Sequence, residues 1–131
     1  MTIHLQIDPP RATGQMHKVT VRNGKPFFYD PEPVKAAREL FGILLSRHVP
    51  AQPLCGPVRL RVVWKFKART RKQDGAYKTT RPDTDNLQKI LKDEMTLCGF
   101  WNDDAQVVDE RVEKKWSLTP GIDIEIEEIA E

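Results

Sequence analysis

The middle of the chain carries the stretch VRLRVVWKFK at residues 58–67. Its apolar side chains alternate with a mostly basic set, which is the period of a β-strand with one core face. A second stretch, DTDNLQKILKDEMTLC at residues 83–98, gathers most of its apolar side chains on one arc of a helical wheel and is followed by Gly99, a typical helix terminator. Together they predict a core strand and a helix that packs on a sheet.

The flanking elements extend this pair into a domain. Asn-Gly supplies the positive φ of a tight hairpin turn, and Asp before Pro is typical of a helix start. The further predicted elements are, in chain order, a strand at residues 3–7, a hairpin of 18–22 and 25–29 around Asn23-Gly24, a helix with Asp30 as N-cap that ends by Pro50, and strands at 108–116 and 122–126. We expect the last two strands to pair antiparallel. The predicted fold is a single α+β domain over residues 1–131, a mixed sheet packed with two main helices.

Size and composition exclude several classes of protein. The chain has 131 residues, which is the size of one ordinary domain, and no apolar stretch long enough for a membrane-spanning helix. Its first residues alternate polar and apolar, unlike a signal peptide. Two cysteines, Cys55 and Cys98, are too few for a disulfide scaffold and lack zinc-finger spacing. We therefore expect a cytoplasmic protein.

Charge is divided unevenly along the chain, although the formal net charge is only +2. Residues 1–82 hold 16 Lys and Arg against 5 acids, and residues 83–131 hold 5 against 14. Nine basic residues and one acid lie between Arg59 and Arg81, the density expected of a surface that binds a polyanion such as nucleic acid. The alternative is a solvated strand face and loop. We expect residues 68–80 to form a mobile loop, because they have little apolar content.

The basic tract leads directly into a set of carboxylates. Asp83 and Asp85 occupy the predicted start of the second helix, and Asp104 follows that helix at the start of the next strand. If that strand lies beside the 58–67 strand, we expect Asp104 to return to the vicinity of the other two. Three converging carboxylates repel unless a cation neutralises them, and oxygen-only ligands favour Mg²⁺ or Mn²⁺ over zinc. Lys89, one turn from Asp85, would stabilise negative charge on a phosphate.

Each of these residues also has a structural interpretation. Asp83 is a good N-cap, and Asp85 is favourable in the first turn of a helix. Lys89 could be an i,i+4 partner of Asp85 on the helix surface. Glu94 breaks the apolar pattern of the helix, and a basic partner or a subunit interface would accommodate it. The combination of acids, lysine and basic tract favours catalysis over these separate structural roles.

Two blocks of this sequence resemble the RusA-type Holliday junction resolvases, endonucleases common in prophages. The blocks are DTDNLQK at residues 83–89 and GFWNDDAQVV at residues 99–108, and the resemblance is close over residues 81–115. It implies a homodimeric, Mg²⁺-dependent endodeoxyribonuclease of DNA recombination and repair, located with the nucleoid. A two-fold dimer would place one site on each of the two symmetry-related strands of a four-way junction.

The resemblance also implies roles for individual residues. Asp83, Asp85 and Asp104 would bind the metal, with Mn²⁺ as a possible substitute for Mg²⁺, Lys89 would be the catalytic lysine, and Asp103 would support the metal ligands. A water would attack the phosphodiester in line, leaving a 5′-phosphate. Phe100 and Trp101 are predicted to be core or interface aromatics rather than wedges at the branch point. The predicted contacts to DNA backbones are Lys18, Arg22, Lys25, Lys65, Lys67, Arg69, Arg71, Lys72, Lys78 and Arg81.

Two other functions fit parts of this pattern. A catalytically silent module of the same fold would bind branched DNA with the basic surface and would not need Asp85. A metal-dependent nucleotide hydrolase would use the acids but would have no need for so extensive a basic tract. Mg²⁺-dependent nicking of a synthetic junction separates the three possibilities.

Overall fold

A computed structural model describes residues 1–11, 18–22, 24–29 and 31–130, with the backbone alone at residues 18–22 and 25–29. Its main elements are, in chain order, β1 Thr2–Leu5, β2 Lys18–Arg22, β3 Lys25–Tyr29, α1 Glu32–Ser46, β4 Val58–Lys67, α2 Thr84–Cys98, β5 Val107–Ser117 and β6 Gly121–Glu128. A four-stranded sheet has the order β1-β6-β4-β5, and β2 and β3 form a separate hairpin. The predicted α+β class, mixed sheet and two main helices are confirmed.

The strand β4 lies inside the sheet, parallel to β5 and antiparallel to β6. The expectation that the last two strands pair with each other is therefore wrong, because β4 separates them. Only residues 118–120 connect β5 to β6. Even so short a connection suffices, since four peptide steps of roughly 3.3 Å exceed two strand spacings of about 4.8 Å. A short connection thus does not by itself imply pairing.

Both helices contribute to a core on one face of the sheet. The alternate β4 residues from Val58 to Phe66 are buried, and they pack with apolar residues of α1 and α2. The Phe41 ring of α1 meets Trp64 of β4 edge to face, with ring centroids 6.1 Å apart. The predicted apolar face of β4 is confirmed, and the site residues of α2 are held by a helix anchored on this core.

The opposite face of the sheet is a network of ion pairs. Arg59 of β4 lies between Asp109 of β5 and Glu127 of β6, at 2.8 and 3.2 Å, and Lys65 lies 3.0 Å from Asp123. The hydrogen bond from Arg59 lowers the pKa of Asp109. The uneven charge along the sequence therefore has a structural cause in part, because acidic strands from the second half flank the basic strand from the first.

The ends of the helices agree with most sequence signals. Gly99 ends α2 with φ of 95°, the left-handed conformation expected of a terminating glycine. Asp83 is the N-cap of α2, as predicted. The first helix begins one residue later than predicted, with Pro31 as its N-cap, and Asp30 lies outside the described residues. The β2–β3 hairpin is confirmed with Arg22 paired to Lys25, whereas Asn23 lies outside the described residues.

The segment predicted as a mobile loop, residues 68–80, has a defined place on the outer edge of β5. Gly75 N donates to Trp116 O, Trp116 N donates to Ala76 O, and Lys78 N donates to Lys114 O, at 2.8 to 3.0 Å. These bonds extend the sheet by a short antiparallel segment. The chain therefore approaches the start of α2 along the edge of β5 rather than through a loose excursion.

A chain of polar groups, buried at its Trp64 end and exposed at its Glu110 end, fastens α2 to the sheet. Trp64 Nε1 donates to Gln88 Oε1 at 2.7 Å, and Gln88 Nε2 donates to Glu110 Oε2 at 2.7 Å. Lys92 completes the chain with a bond to the other Glu110 oxygen at 3.1 Å. Because Gln88 is only 3% exposed, its amide supplies the hydrogen bonds that water would otherwise make to Trp64 and Glu110. The bonds set the position of α2 along β4 and β5.

We expect Gln88→Met to lower the free energy of unfolding by about 1–3 kcal/mol, because it leaves the buried Trp64 indole N–H without an acceptor at nearly constant volume. Urea denaturation checks this. Gln6→Met, at an exposed position, is the control and should change stability by less than about 0.5 kcal/mol. A Gln88→Met protein as stable as the wild type would contradict the role of this chain.

Candidate active site

The start of α2 presents two carboxylates to solvent. Asp83 and Asp85 are both exposed, and the Asp83 side chain makes no capping hydrogen bond. In the described part of the chain, neither carboxylate forms a hydrogen bond or an ion pair. The capping interpretation of the Asp83 side chain is thus not observed. The positive end of the α2 dipole favours negative charge at this position.

Asp104 lies in the turn between α2 and β5. It is the first residue of a short 3-10 helix, Asp104–Gln106, and is half-buried. Asp103 caps that helix: its Oδ1 accepts from Ala105 N at 2.9 Å, and Gln106 Oε1 accepts from Asp103 N at 3.0 Å. Gln106 also donates to the carbonyls of Leu54 and Gly56, tying the turn to the chain before β4. Asp103 therefore shapes the turn that carries Asp104.

The acids lie at opposite ends of α2. Asp85 is in the first turn, whereas the segment before Asp104 packs on the last turn, where Trp101 Nε1 donates to Thr96 Oγ1 at 2.8 Å. Cys98, at the end of the helix, is thirteen positions after Asp85, which corresponds to about 20 Å of helix rise. The expectation that Asp104 returns to Asp83 and Asp85 within one chain is therefore wrong. Because β4 and β5 are parallel, α2 must run from the carboxyl end of the strands back to their amino end, so its own two ends lie at opposite ends of the strands.

The residues fit a hard divalent cation only in part within one chain. Asp83 and Asp85 offer adjacent, unpaired oxygen ligands of the kind that Mg²⁺ prefers. No group of three His, Cys, Asp or Glu side chains suited to a metal ion is found within the residues described for one chain. The predicted ligands of one chain thus lie in two places, Asp83 and Asp85 at one end of α2 and Asp104 at the other.

Lys89 is one turn beyond Asp85, on the exposed side of α2. Its Nζ lies 3.6 Å from Asp93 Oδ2, and its side chain is 58% exposed. The i,i+4 partner is therefore Asp93 rather than Asp85. An exposed pair of this kind contributes only about 0.3–0.5 kcal/mol, so it does not hold the ammonium group against a stronger anion such as a phosphate.

The predicted DNA contacts separate into several groups. Arg69, Arg71, Lys72 and Arg81 are exposed, and no partner is recorded for their side chains in the part of the chain that is described. Lys65 is paired with Asp123, and Lys67 Nζ donates to Leu118 O at 3.1 Å. The side chains of Lys18, Arg22 and Lys25 lie outside the described residues.

Lys78 does not belong to the basic surface. It is 5% exposed, and its ammonium group lies 4.5 Å from the centre of the Trp116 ring and 5.1 Å from that of Phe66. Burial and the nearby Lys114 lower the pKa of Lys78. The prediction of a DNA contact at this lysine is wrong, because the side chain is directed into the protein. A sequence pattern could not distinguish it from its exposed neighbours.

The aromatic residues after α2 are part of the core. Phe100 is fully buried, and Trp101 is 1% exposed. The prediction that they serve packing rather than insertion at a branch point is confirmed as far as one chain shows. Their burial anchors the turn that leads to Asp104.

Glu94, which breaks the apolar pattern of α2, has the basic partner that the sequence left as one possibility. Arg38 of α1 lies 3.9 Å from Glu94 and 3.2 Å from Asp93. Glu94 is 8% exposed, and burial raises its pKa, with Arg38 acting in the opposite direction. The carboxyl group therefore links the two helices rather than joining the candidate site.

We expect Glu94 to make folding less favourable as pH rises. Because its pKa is raised in the folded state, the unfolded chain releases this proton first, and stability falls from the ordinary Glu pKa upward until the folded pKa is passed. Glu94→Gln should lack this fall in stability. Its free energy of unfolding relative to that of wild type should therefore rise between the ordinary Glu pKa and the folded pKa. Urea denaturation at several pH values measures it, and parallel pH profiles would contradict the prediction.

Two residues near the acids have a place in the structure that the sequence motifs do not predict. Asn86, directly after Asp85, is 8% exposed and has no recorded hydrogen bond at its side-chain amide within the described residues. The sequence signal that could have identified Asn86 is its polar side chain at the border of the apolar arc of α2. Lys114 of β5 donates to the carbonyls of Thr80 and Pro82, just before Asp83. No local pattern connects it with residues more than thirty positions away.

The fold and the site define a class of α+β protein with an exposed basic segment and, among the residues that the structure describes, carboxylates without a partner, an arrangement suited to a polyanion. The profile of the family described as Endodeoxyribonuclease RusA matches residues 9–127. The chain belongs to the RusA endodeoxyribonuclease family, so the resemblance is confirmed.

Individual relatives agree with this assignment. An uncharacterized protein, YqaN of Bacillus subtilis (strain 168), is 32% identical over 122 residues, 85% of each chain. The crossover junction endodeoxyribonuclease RusA of Lactococcus phage r1t is 37% identical over 73 residues, 56% of each chain. The enzyme of that name in Escherichia coli (strain K12) is 44% identical over 61 residues, 47% of this chain and 42% of that protein. The chain thus matches about half the length of the two named resolvases.

Proposed function

We propose that this protein is a Mg²⁺-dependent endodeoxyribonuclease that resolves four-way DNA junctions by paired symmetric nicks, in recombination and repair at the nucleoid. The observation that carries the proposal is the pair of exposed carboxylates of Asp83 and Asp85 at the start of α2, without a partner among the described residues, in a chain of the RusA family. Excess negative charge without a protein partner is what a cation-dependent site requires.

We further propose that the metal site is completed by a two-fold homodimer. A two-fold axis across α2 would set two copies of the helix antiparallel, so that Asp83 and Asp85 of one protomer face Asp104 of the partner subunit. This arrangement accounts for the opposite locations of the acids within one chain. Two exposed apolar side chains at the Asp104 end, Leu97 at 78% and Val108 at 64% exposure, offer contact surface to a second copy.

The chemistry then divides between the metal and the protein. When bound, Mg²⁺ neutralises the acids and lowers the pKa of a coordinated water. Asp83, Asp85 and Asp104 would hold the ion, with Mn²⁺ as a substitute, and Asp103 keeps the Asp104 turn in place. The Lys89 ammonium group would leave Asp93 and stabilise the negative charge that grows on the phosphate. The water oxygen would bond to phosphorus as the bond to the 3′ oxygen breaks, so the nick would carry a 5′-phosphate and a 3′-hydroxyl.

The exposed basic residues bind the junction arms through phosphates. Arg69, Arg71, Lys72 and Arg81 lie on the segment that precedes Asp83, so DNA held by them passes the acids. Phosphate contacts carry little sequence information, and recognition is therefore expected to depend on junction shape and on salt.

The test is a nicking assay with four-way junction, fork and linear duplex substrates, each with Mg²⁺ and with EDTA. We expect cleavage of the junction alone or preferentially, at symmetric positions and only with Mg²⁺. Tight junction binding without cleavage would instead identify a silent binding module. Hydrolysis of nucleoside triphosphates without activity on branched DNA would identify a nucleotide hydrolase.

A further inference from the structure

Two lysine ammonium groups lie directly behind the segment that leads into α2. Lys78 Nζ donates to Arg81 O at 2.7 Å and to Thr80 Oγ1 at 2.6 Å. Lys114 Nζ donates to Thr80 O at 2.7 Å and to Pro82 O at 2.8 Å. Three successive carbonyls, those of residues 80, 81 and 82, are therefore bound by two cations immediately before Asp83.

The two lysines are themselves fixed to the sheet. Lys78 N donates to Lys114 O at 3.0 Å, which aligns the two residues on adjacent extended segments. The Lys78 side chain is 5% exposed and lies against Phe66 and Trp116, so it has little freedom to move. The carbonyls of residues 80–82 thus take their position from a rigid part of the structure.

A cation is an unusual choice for this position if packing is its only purpose. Burying an ammonium group is costly unless it is fully hydrogen-bonded, and two such groups repel each other. An apolar side chain between Phe66 and Trp116 would pack without that cost. Carbonyl groups of an irregular segment need donors, however, and an ammonium group can serve two at once.

We propose that Lys78 and Lys114 are positioning residues that fix the direction in which Asp83 and Asp85 leave the sheet. The ammonium groups hold the carbonyls of residues 80–82, and the first turn of α2 follows without an intervening hinge. This inference rests on the proposed function, because positioning matters only if the two acids bind a metal ion.

The test compares Lys114→Met with Lys114→Arg and with Lys115→Met. Methionine keeps the length of the side chain but removes the donors, whereas arginine retains them. Lys115 is the adjacent residue of β5, and its ammonium group contacts Glu113 at 3.4 Å and the Tyr77 ring at 5.4 Å from its centre, rather than the carbonyls of residues 80–82. Mn²⁺ affinity, measured by electron paramagnetic resonance, and hydrogen exchange at the Leu87 amide, which bonds to Asp83 O, are the readouts.

Lys114→Met is expected to weaken Mn²⁺ binding about 10- to 100-fold, the range for residues that support metal ligands, and to speed Leu87 exchange. Lys114→Arg should restore both, and Lys115→Met should alter neither. Lys78→Met should weaken Mn²⁺ binding with thermal stability kept or raised, which a purely structural role does not produce.

The inference is overturned if folded Lys114→Met and Lys78→Met bind Mn²⁺ as wild type does, or if the loss of affinity follows the loss of stability across all variants. A failure of the proposed function gives a different result, because wild type itself would then neither bind Mn²⁺ nor nick a junction. That result would also overturn the positioning role of the two lysines.

Discussion

Asp85→Asn is expected to reduce Mg²⁺-dependent nicking of a four-way junction by about 100- to 1000-fold or more, a loss typical of removing one group that stabilises the transition state. The substitution removes one anionic ligand while keeping the size of the side chain. Asp85 is exposed and has no partner among the residues described, so folding should be unaffected. Gel-based cleavage of a labelled junction measures the rate.

Junction binding separates this loss from a general defect. Asp85→Asn should bind the junction in the absence of divalent metal as tightly as wild type or more so, because the backbone contacts come from basic residues and a negative charge is removed. Glu39→Gln removes an exposed acid of α1 and should leave cleavage unchanged. Full cleavage by Asp85→Asn would refute the metal site.

A mixture of Asp85→Asn and Asp104→Asn subunits is expected to nick junctions although neither variant does so alone. If each site combines Asp85 of one protomer with Asp104 of the partner subunit, a mixed dimer has one intact site and one with both substitutions. Random mixing makes about half of the dimers mixed, and each of these has one intact site of two. About a quarter of all sites should therefore be intact. The products should be single nicks rather than paired cuts.

The outcome of mixing discriminates between two arrangements of the acids. Subunits are unfolded together in urea and refolded before the assay, so that exchange is complete. A mixture of Asp83→Asn with Asp85→Asn is the control, since both substitutions lie at the same end of α2 and no intact site can form in either arrangement. Absence of activity in the Asp85 and Asp104 mixture would show that the acids meet within one chain or not at all.

The elements nearest the site were predictable because their signals are local. The alternation of β4, the apolar arc of α2 and the left-handed Gly99 each depend on residues a few positions apart. Pairing of β5 was not predictable in the same way. A three-residue connection permits either direct pairing with β6 or insertion of β4 between them, and only the packing of the whole sheet decides.

The candidate site shows the same division. The motif that contains Asp83, Asp85 and Lys89 is recognisable from its spacing, and both acids are exposed with no partner in the described ranges. The partners of Lys78 and Glu94 were not recognisable, because they come from other elements: aromatic side chains of β4 and β5 for the lysine, and Arg38 of α1 for the glutamate.

Residue type and spacing were therefore sufficient for the fold class, which depends on side-chain period, and for the family, which is recognised by its motifs. A cation-binding role of the acidic motif stays a prediction. The length of α2 was predictable as well, and its fifteen residues keep the ends of the helix about 22 Å apart. Whether residues 99–104 return from there toward Asp85 depended on the tertiary structure. They stay at the far end, because Trp101 bonds to Thr96 of the last turn and Gln106 bonds to the carbonyls of Leu54 and Gly56 before β4.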